Sequence, residues 1–523
     1  MQFSEKINLL MKMANTTNTK LANALGIDPS LVSRWRTGAR EPSDDSRYIQ
    51  LIGIYFATQA RQDFQRVALL ELTGHQMEDK NVSETLIAEY LTRWLMGESK
   101  ISVKSIQVLL DSIGTAGSIS HAIQEVSIPA EPMGEPVHTL SFSGINGMRS
   151  AVIKLLIQAM STPEKGRKLY LYSDESMDWI IENPEFLKQW VFLMSTCIRR
   201  GMRIEVIHTL SRDSNELAIA VQRWLPFYMT GAIVSYYYPH KRDDMFKHTS
   251  FTLEGCCTVF STSVRGQNRD TVQYVYSQDA AIVAGAQEGF LRQLALCKPL
   301  VRTFIGKETR RYVDETLTLF SGTSTSGVGL QGLMLSAMQP ALLEKMLRRN
   351  AAEESLIQEL VAQQEKRIDT MKAHLKDKTF QMVISLPRIT DVLKGKVVAI
   401  IPELLLQHPV SYLPMEFHEH LRGIIELLEE FELLDLVIIP NKYMLHNVQI
   451  FAMQNSGMLV LKHNDPKFVF ISEQKDLISA MIGYIRQVAS RVPKREKNKA
   501  YVTEKLREFA KRVEEGAAMR MLP

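Results

Sequence analysis

Apolar residues at Leu21, Ala22 and Leu25, and again at Leu31, Val32 and Trp35, mark two short helices separated by a turn. The polar residues around them set the boundaries. Thr17 stands where an N-cap belongs, and Gly26 suits the left-handed residue that ends a helix. Asp28 followed by Pro29 opens the second helix, because the carboxylate caps it and the fixed φ of proline fits its first position. Gly38 and Pro42 stop it. Asp44 and Asp45, after Ser43, suit the positive end of a further helix. Burying the second apolar set turns Pro29, Ser30, Ser33 and Arg34 outward as one polar edge.

Further along, Ser83 to Leu95 and Val103 to Ile113 carry helical periodicity, and Pro129, Pro132 and Pro136 interrupt it. The pattern then alternates. Strand-like runs LYLYS, RIEVIHT and AIVSYYY, near Leu169, Arg203 and Ala232, interleave with helical stretches at Ile145 to Met160, Glu185 to Arg200 and Ser214 to Met229. Such alternation predicts an α/β sheet with helices on its faces. TSFTL and TVFSTS follow with little between them, so one side of that sheet is expected to be antiparallel.

The far end repeats the design. TLSFSG at Thr139 is echoed by LTLFSG at Leu317, and YVYSQDAAIVAGAQEGFLRQL from Tyr274 by FVFISEQKDLISAMIGYIRQV from Phe468. The helix that leads into EVIHT near Glu205 is matched by Leu421 to Phe431 leading into LVIIP at Leu436. Three echoes in one order predict a diverged duplication. Between the halves, Pro340 to Lys378 reads as one or two long helices. There Val361, Gln364, Ile368, Met371 and Leu375 form either a short coiled-coil seam or the buried stripe of a helix lying on its own domain.

The chain is therefore expected to be multidomain: an all-α helix-turn-helix domain followed by a large α/β region. Its divisions are the helix-turn-helix domain at 1–73, a helical connector at 74–125 and a linker at 126–138. A first α/β half follows at 139–300, a helical segment at 301–395, a second α/β half at 396–490 and a basic helical tail at 491–523. At 523 residues, several cores are needed. Apolar and charged fractions of 45% and 23% are those of a folded globular protein. The net charge of +4 is small, so any polyanion contact must come from local clusters, such as the second short helix and Lys494 to Lys499. No apolar run is long enough to span a bilayer, and no signal peptide is evident, which predicts a cytoplasmic protein with no membrane partner. Cys197, Cys256, Cys257 and Cys297 lack metal-ligand spacing and read as reduced thiols; no metal or cofactor is expected.

The outward edge suits a DNA groove. Arg34 can reach guanine bidentately, with Pro29, Ser30 and Ser33 beside it at base edges. Thr17, Thr19, Lys20, Arg36 and Arg40 complete the DNA-binding set, the last four as phosphate contacts that fix register. The order Leu-Ala, three residues, Gly-Ile, then Val-Ser-Arg-Trp and Gly-x-x-x-Pro resembles the Xre/Cro-like repressor family over roughly the first 70 residues. That resemblance implies about five helices, with Phe3 to Ala14 first and Tyr48 to Leu72 supplying the last, and double-stranded DNA as partner.

The duplicated α/β layout resembles the phospholipase D-like fold. In active members each half supplies His-x-Lys and a later Asp, which give a histidine nucleophile, a histidine acid and phosphate-binding lysines. Here KHTSFTLEGCCTVFSTS offers His248, but Ser250 stands in place of lysine, and Glu254 and Gly255 stand where Asp is expected. HNVQIFAMQNSGM, from His446, has neither partner. Without the lysine, transferred phosphate charge loses its stabiliser, so the scaffold is expected to bind rather than catalyse. His208, Arg212, Tyr237, Arg242 and His248 could line a pocket for a small anionic effector; the other reading is a solvated loop with tyrosines packed into the sheet. The expected function is sequence-specific transcription regulation by a homodimer. Two alternatives stay open: a DNA-targeted phosphodiesterase or nuclease, and a nonenzymatic assembly factor anchored on DNA.

Overall fold

The computed structural model describes residues 3–40, 42, 47–60, 62–73, 83–96, 103–115, 139–161, 166–175, 178–209, 221–222, 224–239, 245–305, 326–399, 410–445, 447–465 and 467–521. The predicted linker at 126–138 lies outside them. The chain is mixed α/β and forms two compact units that divide at Val103.

The smaller unit is helical: α1 (Phe3–Met13), α2 (Asn18–Leu25), α3 (Pro29–Thr37), α4 (Arg47–Gln59), α5 (Asp63–Leu72) and α6 (Glu84–Met96). Ile7, Leu10, Leu21, Val32, Trp35, Ile52 and Phe56 meet in one core, and Ile87, Leu91 and Leu95 of α6 complete it. This corrects the connector drawn at 74–125. Gly53 of α4 lets α6 approach so closely that a Cβ there would lie 2.4 Å from Thr92 Oγ1. Lys6 of α1 donates to the Trp94 carbonyl at the end of α6, where the helix dipole favours a cation. A sixth helix thus belongs to the head, while α7 (Val103–Thr115) lies almost wholly in the larger unit.

Among the described residues the larger unit is built on one run of fourteen paired strands. The first seven are β1 (Thr139–Ser143), β2 (Lys168–Ser173), β3 (Arg203–His208), β4 (Ile233–Tyr237), β5 (Phe246–Leu253), β6 (Cys257–Val264) and β7 (Gln273–Ser277). Then come β8 (Lys298–Phe304), β9 (Ser326–Gln331), β10 (Thr379–Ile384), β13 (Leu434–Ile438), β14 (Val448–Met453), β15 (Gly457–Lys462) and β16 (Phe468–Ser472); β11 (Val398–Ala399) and β12 (Val410–Ser411) pair separately. Helices of the first half are α8 (Gly144–Ser161), α9 (Asp178–Ile181), α10 (Pro184–Arg199) and α11 (Ala280–Leu294). Those of the second are α12 (Pro340–Arg349), α13 (Glu354–Leu375), α14 (Ile389–Leu393), α15 (Pro414–Glu430), α16 (Lys475–Ser490) and α17 (Lys499–Met521).

Strand order across the first half is β1-β7-β6-β5-β2-β3-β4, and across the second β8-β16-β15-β14-β9-β10-β13. The two sequences of directions also agree: four antiparallel pairings, then two parallel ones. Strand β8 joins the halves, pairing with β4 through residues 298–301 and with β16 through 302–304. The echo between Tyr274 and Phe468 is thus an equivalence of place: β7 and α11 correspond to β16 and α16. In both, a serine ending the strand accepts from the helix-capping residue, Ser277 from Asp279 N and Ser472 from Gln474 N, each at 3.2 Å.

Two other echoes are realigned. The strand in the place of β1 is β8, while residues 317–322 lie outside the described set. The counterpart of β13 is β4, not β3, because successive parallel crossovers share one helix-then-strand pattern that sequence cannot tell apart. The second half also starts earlier than 396, since β9, β10 and the last four residues of β8 fall within the segment 301–395 read as helical. Strand β9 was hidden by Gly327 and Gly329, residues that disfavour strands. Here they are required: a Cβ on Gly327 would sit 2.4 Å from Met453 S and 2.6 Å from the Phe380 ring.

The seam residues of α13 resolve as a stripe on their own domain. Leu360, Met371 and Leu375 join the second-half core, and buried Gln364 donates to the Leu335 and Met338 carbonyls at 2.8 and 2.7 Å. The basic tail is likewise structural, for Val502, Leu506, Ala510 and Val513 recur at helical spacing along α17 and enter that core.

Two enclosed histidines bind the halves internally. His208 Nε2 meets Tyr228 Oη at 2.8 Å; His420 Nε2 donates to the Met334 carbonyl at 2.8 Å, leaving Nδ1 to accept from Tyr412 Oη at 2.7 Å. Burial pushes both down to about 4, against the weaker opposing effect of the Met334 carbonyl on His420. Because these folded-state values lie below the unfolded one, stability is full above pH 6.5 and falls as the pH drops toward 4. We expect a loss of about 2 kcal/mol per histidine by pH 5. Urea midpoints measured between pH 7 and 5 check this, and His420→Gln should make the decline shallower.

Candidate nucleic-acid interface

Each boundary of the α2–α3 pair is held by its own sequence. Thr17 Oγ1 accepts from Lys20 N at 3.3 Å, and Gly26, at φ 67°, ends α2. Asp28 Oδ1 accepts from Ser30 N at 2.8 Å, and Gly38, at φ 75°, ends α3. The Ser30 hydroxyl first, then its backbone N–H, hold the Asp28 carboxyl below the usual carboxylate range, with the Arg34 charge adding to them.

Packing then fixes the rotation of α3. Val32 and Trp35 are fully enclosed, with Leu31 half-buried, and the Trp35 ring stands edge-on to Phe3 at 6.3 Å and tilted against Tyr48 at 5.9 Å. The opposite side carries Pro29, Ser30, Ser33 and Arg34, all exposed. The Arg34 guanidinium makes no hydrogen bond among the described residues, although its backbone carbonyl accepts from Arg40 N and Thr37 Oγ1.

Thr17, Thr19, Lys20, Arg36 and Arg40 are exposed as well, but they differ in freedom. Arg36 donates to Asn8 Oδ1 and Asn18 Oδ1, both at 2.7 Å, and its carbonyl accepts from Asn8 Nδ2. It therefore ties α1 and α2 to α3. Sequence reading missed the two asparagines; their signal is only that each carries an amide one helix away from an arginine.

Of the residues proposed for an effector pocket, His208, Tyr237 and His248 are described, and His248 stands apart from the other two. His208 and Tyr237 are paired neighbours on β3 and β4 and are both buried, His208 with its ring edge-on to Trp224. His248 is exposed across the intervening strand β2, with Nδ1 3.0 Å from Thr262 Oγ1. Arg212 and Arg242 lie outside the described residues. The strand ends are instead joined by Asp174, which accepts from Tyr172 Oη at 2.5 Å, Thr209 Oγ1 at 2.9 Å and His248 N at 2.9 Å. Its position directly after the LYLYS run was the available signal.

Equivalent positions in the second half can be read off by register. The β5–β6 and β14–β15 hairpins have matching turns, with Gly255 at φ 61° and Asn455 at φ 63°, and Glu254 N and Gln454 N donate to Lys168 O and Ser326 O. On that alignment Val448 stands where His248 does, Ile450 where Ser250 does, Ile384 where His208 does and Ile438 where Tyr237 does. Among the described residues no group of three or more His, Cys, Asp or Glu could hold a metal ion, and no helix is long and apolar enough to cross a membrane.

No protein-family model matches the chain, and no curated protein matches it in sequence. Similar solved structures include TrmBL2, an archaeal chromatin protein, at 13% identity over 45% of this chain and 81% of that one, with a TM-score of 0.23. NucT from Helicobacter pylori is similar at 12% identity over 31% of this chain and 98% of its own, with a TM-score of 0.20. Likeness at that level carries no argument for fold or function.

Removing the α3 cap tests the local account. Asp28→Ala should cost about 1 kcal/mol, seen as faster amide hydrogen exchange at Leu31 and Val32, while Asp28→Asn should stay near the parent.

Proposed function

We propose that this chain is a sequence-specific DNA-binding transcription regulator, in which the helical head reads duplex DNA through α3 and the larger unit serves assembly rather than catalysis. The carrying observation is the outward edge of α3: Pro29, Ser30, Ser33 and Arg34 are exposed on the side opposite buried Val32 and Trp35. A helix held by its back leaves its front for the major groove. The resemblance of the motif to Xre/Cro-like repressors supports the same reading. Arg34 reads a base, and Arg40, Lys20 and Thr19 hold phosphate. Arg36, tied to Asn8 and Asn18, acts first as a brace.

Noncatalytic use of the larger unit is supported by the register just described. If the halves descend from a phospholipase D-like ancestor, the second has apolar residues where paired histidine and lysine would be needed, and charged intermediates would go unstabilised. Effector binding is left out of the proposal, because His208 and Tyr237 are enclosed and spent on internal packing.

Arg34→Ala should reduce the preference for a selected cognate duplex over random DNA by about 1–3 kcal/mol, with little change on random DNA. Arg40→Ala should weaken both about equally and lower the salt slope by about 1. Fluorescence anisotropy titrations at several salt concentrations measure both quantities. Equal loss on cognate and random duplexes for the two variants would reject the assignment.

A further inference from the structure

We infer that the larger unit carries its own contact for the phosphate backbone of duplex DNA, formed by the turn Lys494–Lys497 together with Lys442 and Arg491. The choice of duplex DNA as the anion rests on the proposed function, in which the same chain holds it through the head.

The repeat sets the turn apart. In the first half the chain leaving α11 enters β8, which pairs along β4. In the second half the chain leaving α16 instead makes the turn Lys494–Lys497, which lies against β13, the counterpart of β4, before α17 begins. No strand extends the sheet beyond β13 among the described residues. From Arg486 to Lys499 the sequence holds six cations, Arg486, Arg491, Lys494, Arg495, Lys497 and Lys499, against one carboxylate, Glu496.

Lys442, in the segment that follows β13, adds to this group. Lys442 Nζ and Arg491 Cζ both stand over the Tyr443 ring, 4.9 and 5.0 Å from its centroid. The ring attracts each of them but carries no net charge, so it leaves two like charges uncompensated. Lys442, Arg491 and Lys494 are exposed, and among the described residues these three and Lys497 make no hydrogen bond or ion pair. Of the carboxylates around them, Glu496 stands 3.9 Å from Arg495, Glu432 and Asp435 are exposed at and before the start of β13, and Asp111 of α7 acts on Tyr484 as Arg491 does. The cations remain in excess.

Lysines beside a sheet edge also discourage the addition of a foreign strand. That role accounts for charge on the turn, but not for the convergence of Lys442 and Arg491 on one ring. A ring that holds two cations in place lowers the ordering cost of meeting an anion. A polyanion satisfies the whole group at once, and contacts of this kind hold a duplex without reading its sequence.

Fluorescence anisotropy of the full chain on a random-sequence duplex, across a salt series, tests the inference. The triple variant Lys442→Gln, Lys494→Gln and Lys497→Gln should bind at least about tenfold more weakly and lower the salt slope by about 3, or about 1 for each phosphate released. Its ratio of cognate to random affinity should equal that of the parent, because phosphate contacts carry no sequence information. Arginine at the same three positions should keep both the affinity and the slope. The Tm of either variant should match the parent, since the replaced groups bond to nothing in the folded chain. A glutamine variant with parental affinity and slope would overturn the inference, and one that in addition self-associates would assign the turn to edge protection alone. Loss of duplex binding in the glutamine variant, alongside an Arg34→Ala variant that keeps its cognate preference, would support this contact and overturn the reading of the head instead.

Discussion

Burial of Trp35 and Val32 is the constraint on which the head depends. A helix of nine residues has little stability alone. Packed against α1 and α2, it gains both its persistence and its orientation, because one enclosed indole permits only one rotation about the helix axis. Arg36 adds a second restraint from the flank, through Asn8 and Asn18. The polar edge is then a consequence of the core: Ser30, Ser33 and Arg34 face outward because Trp35 faces in.

The larger unit holds one strand order in two halves whose side chains differ. Backbone pairing across seven strands is insensitive to side-chain identity, so β9, with two glycines, still occupies the place of β2. Side chains at the strand ends are under no such restraint. In the first half Asp174 gathers the Tyr172 and Thr209 hydroxyls and the His248 backbone N–H, whereas the second has Val448 and Ile450 at the register of His248 and Ser250 and invests its polar groups inside. His420 and Gln364 there hold the loop after β9 by its carbonyls, and Gly423 leaves room for the Ala337 carbonyl, 2.2 Å from where a Cβ would be.

The sequence by itself determined the features whose causes are local. Thr17, Gly26, Asp28 and Gly38 act on backbone groups within a few residues of themselves, so both helices of the motif, their caps and their buried sides were legible from spacing alone. The strand-cap-helix echo from Tyr274 to Phe468 was legible for the same reason.

Only the tertiary structure decided what depends on residues distant along the chain. Whether α6 connects or packs rests on Gly53 meeting Thr92; whether β9 is a strand rests on the space that Met453 and Phe380 leave for Gly327. Periodicity could not say whether the stripe on α13 meets another molecule or its own core, since an amphipathic face looks the same in either case. Nor could it separate His208 from His248. Both histidines lie close to strand ends, and three-dimensional pairing alone sets one inside against Tyr228 and the other outside beside Thr262.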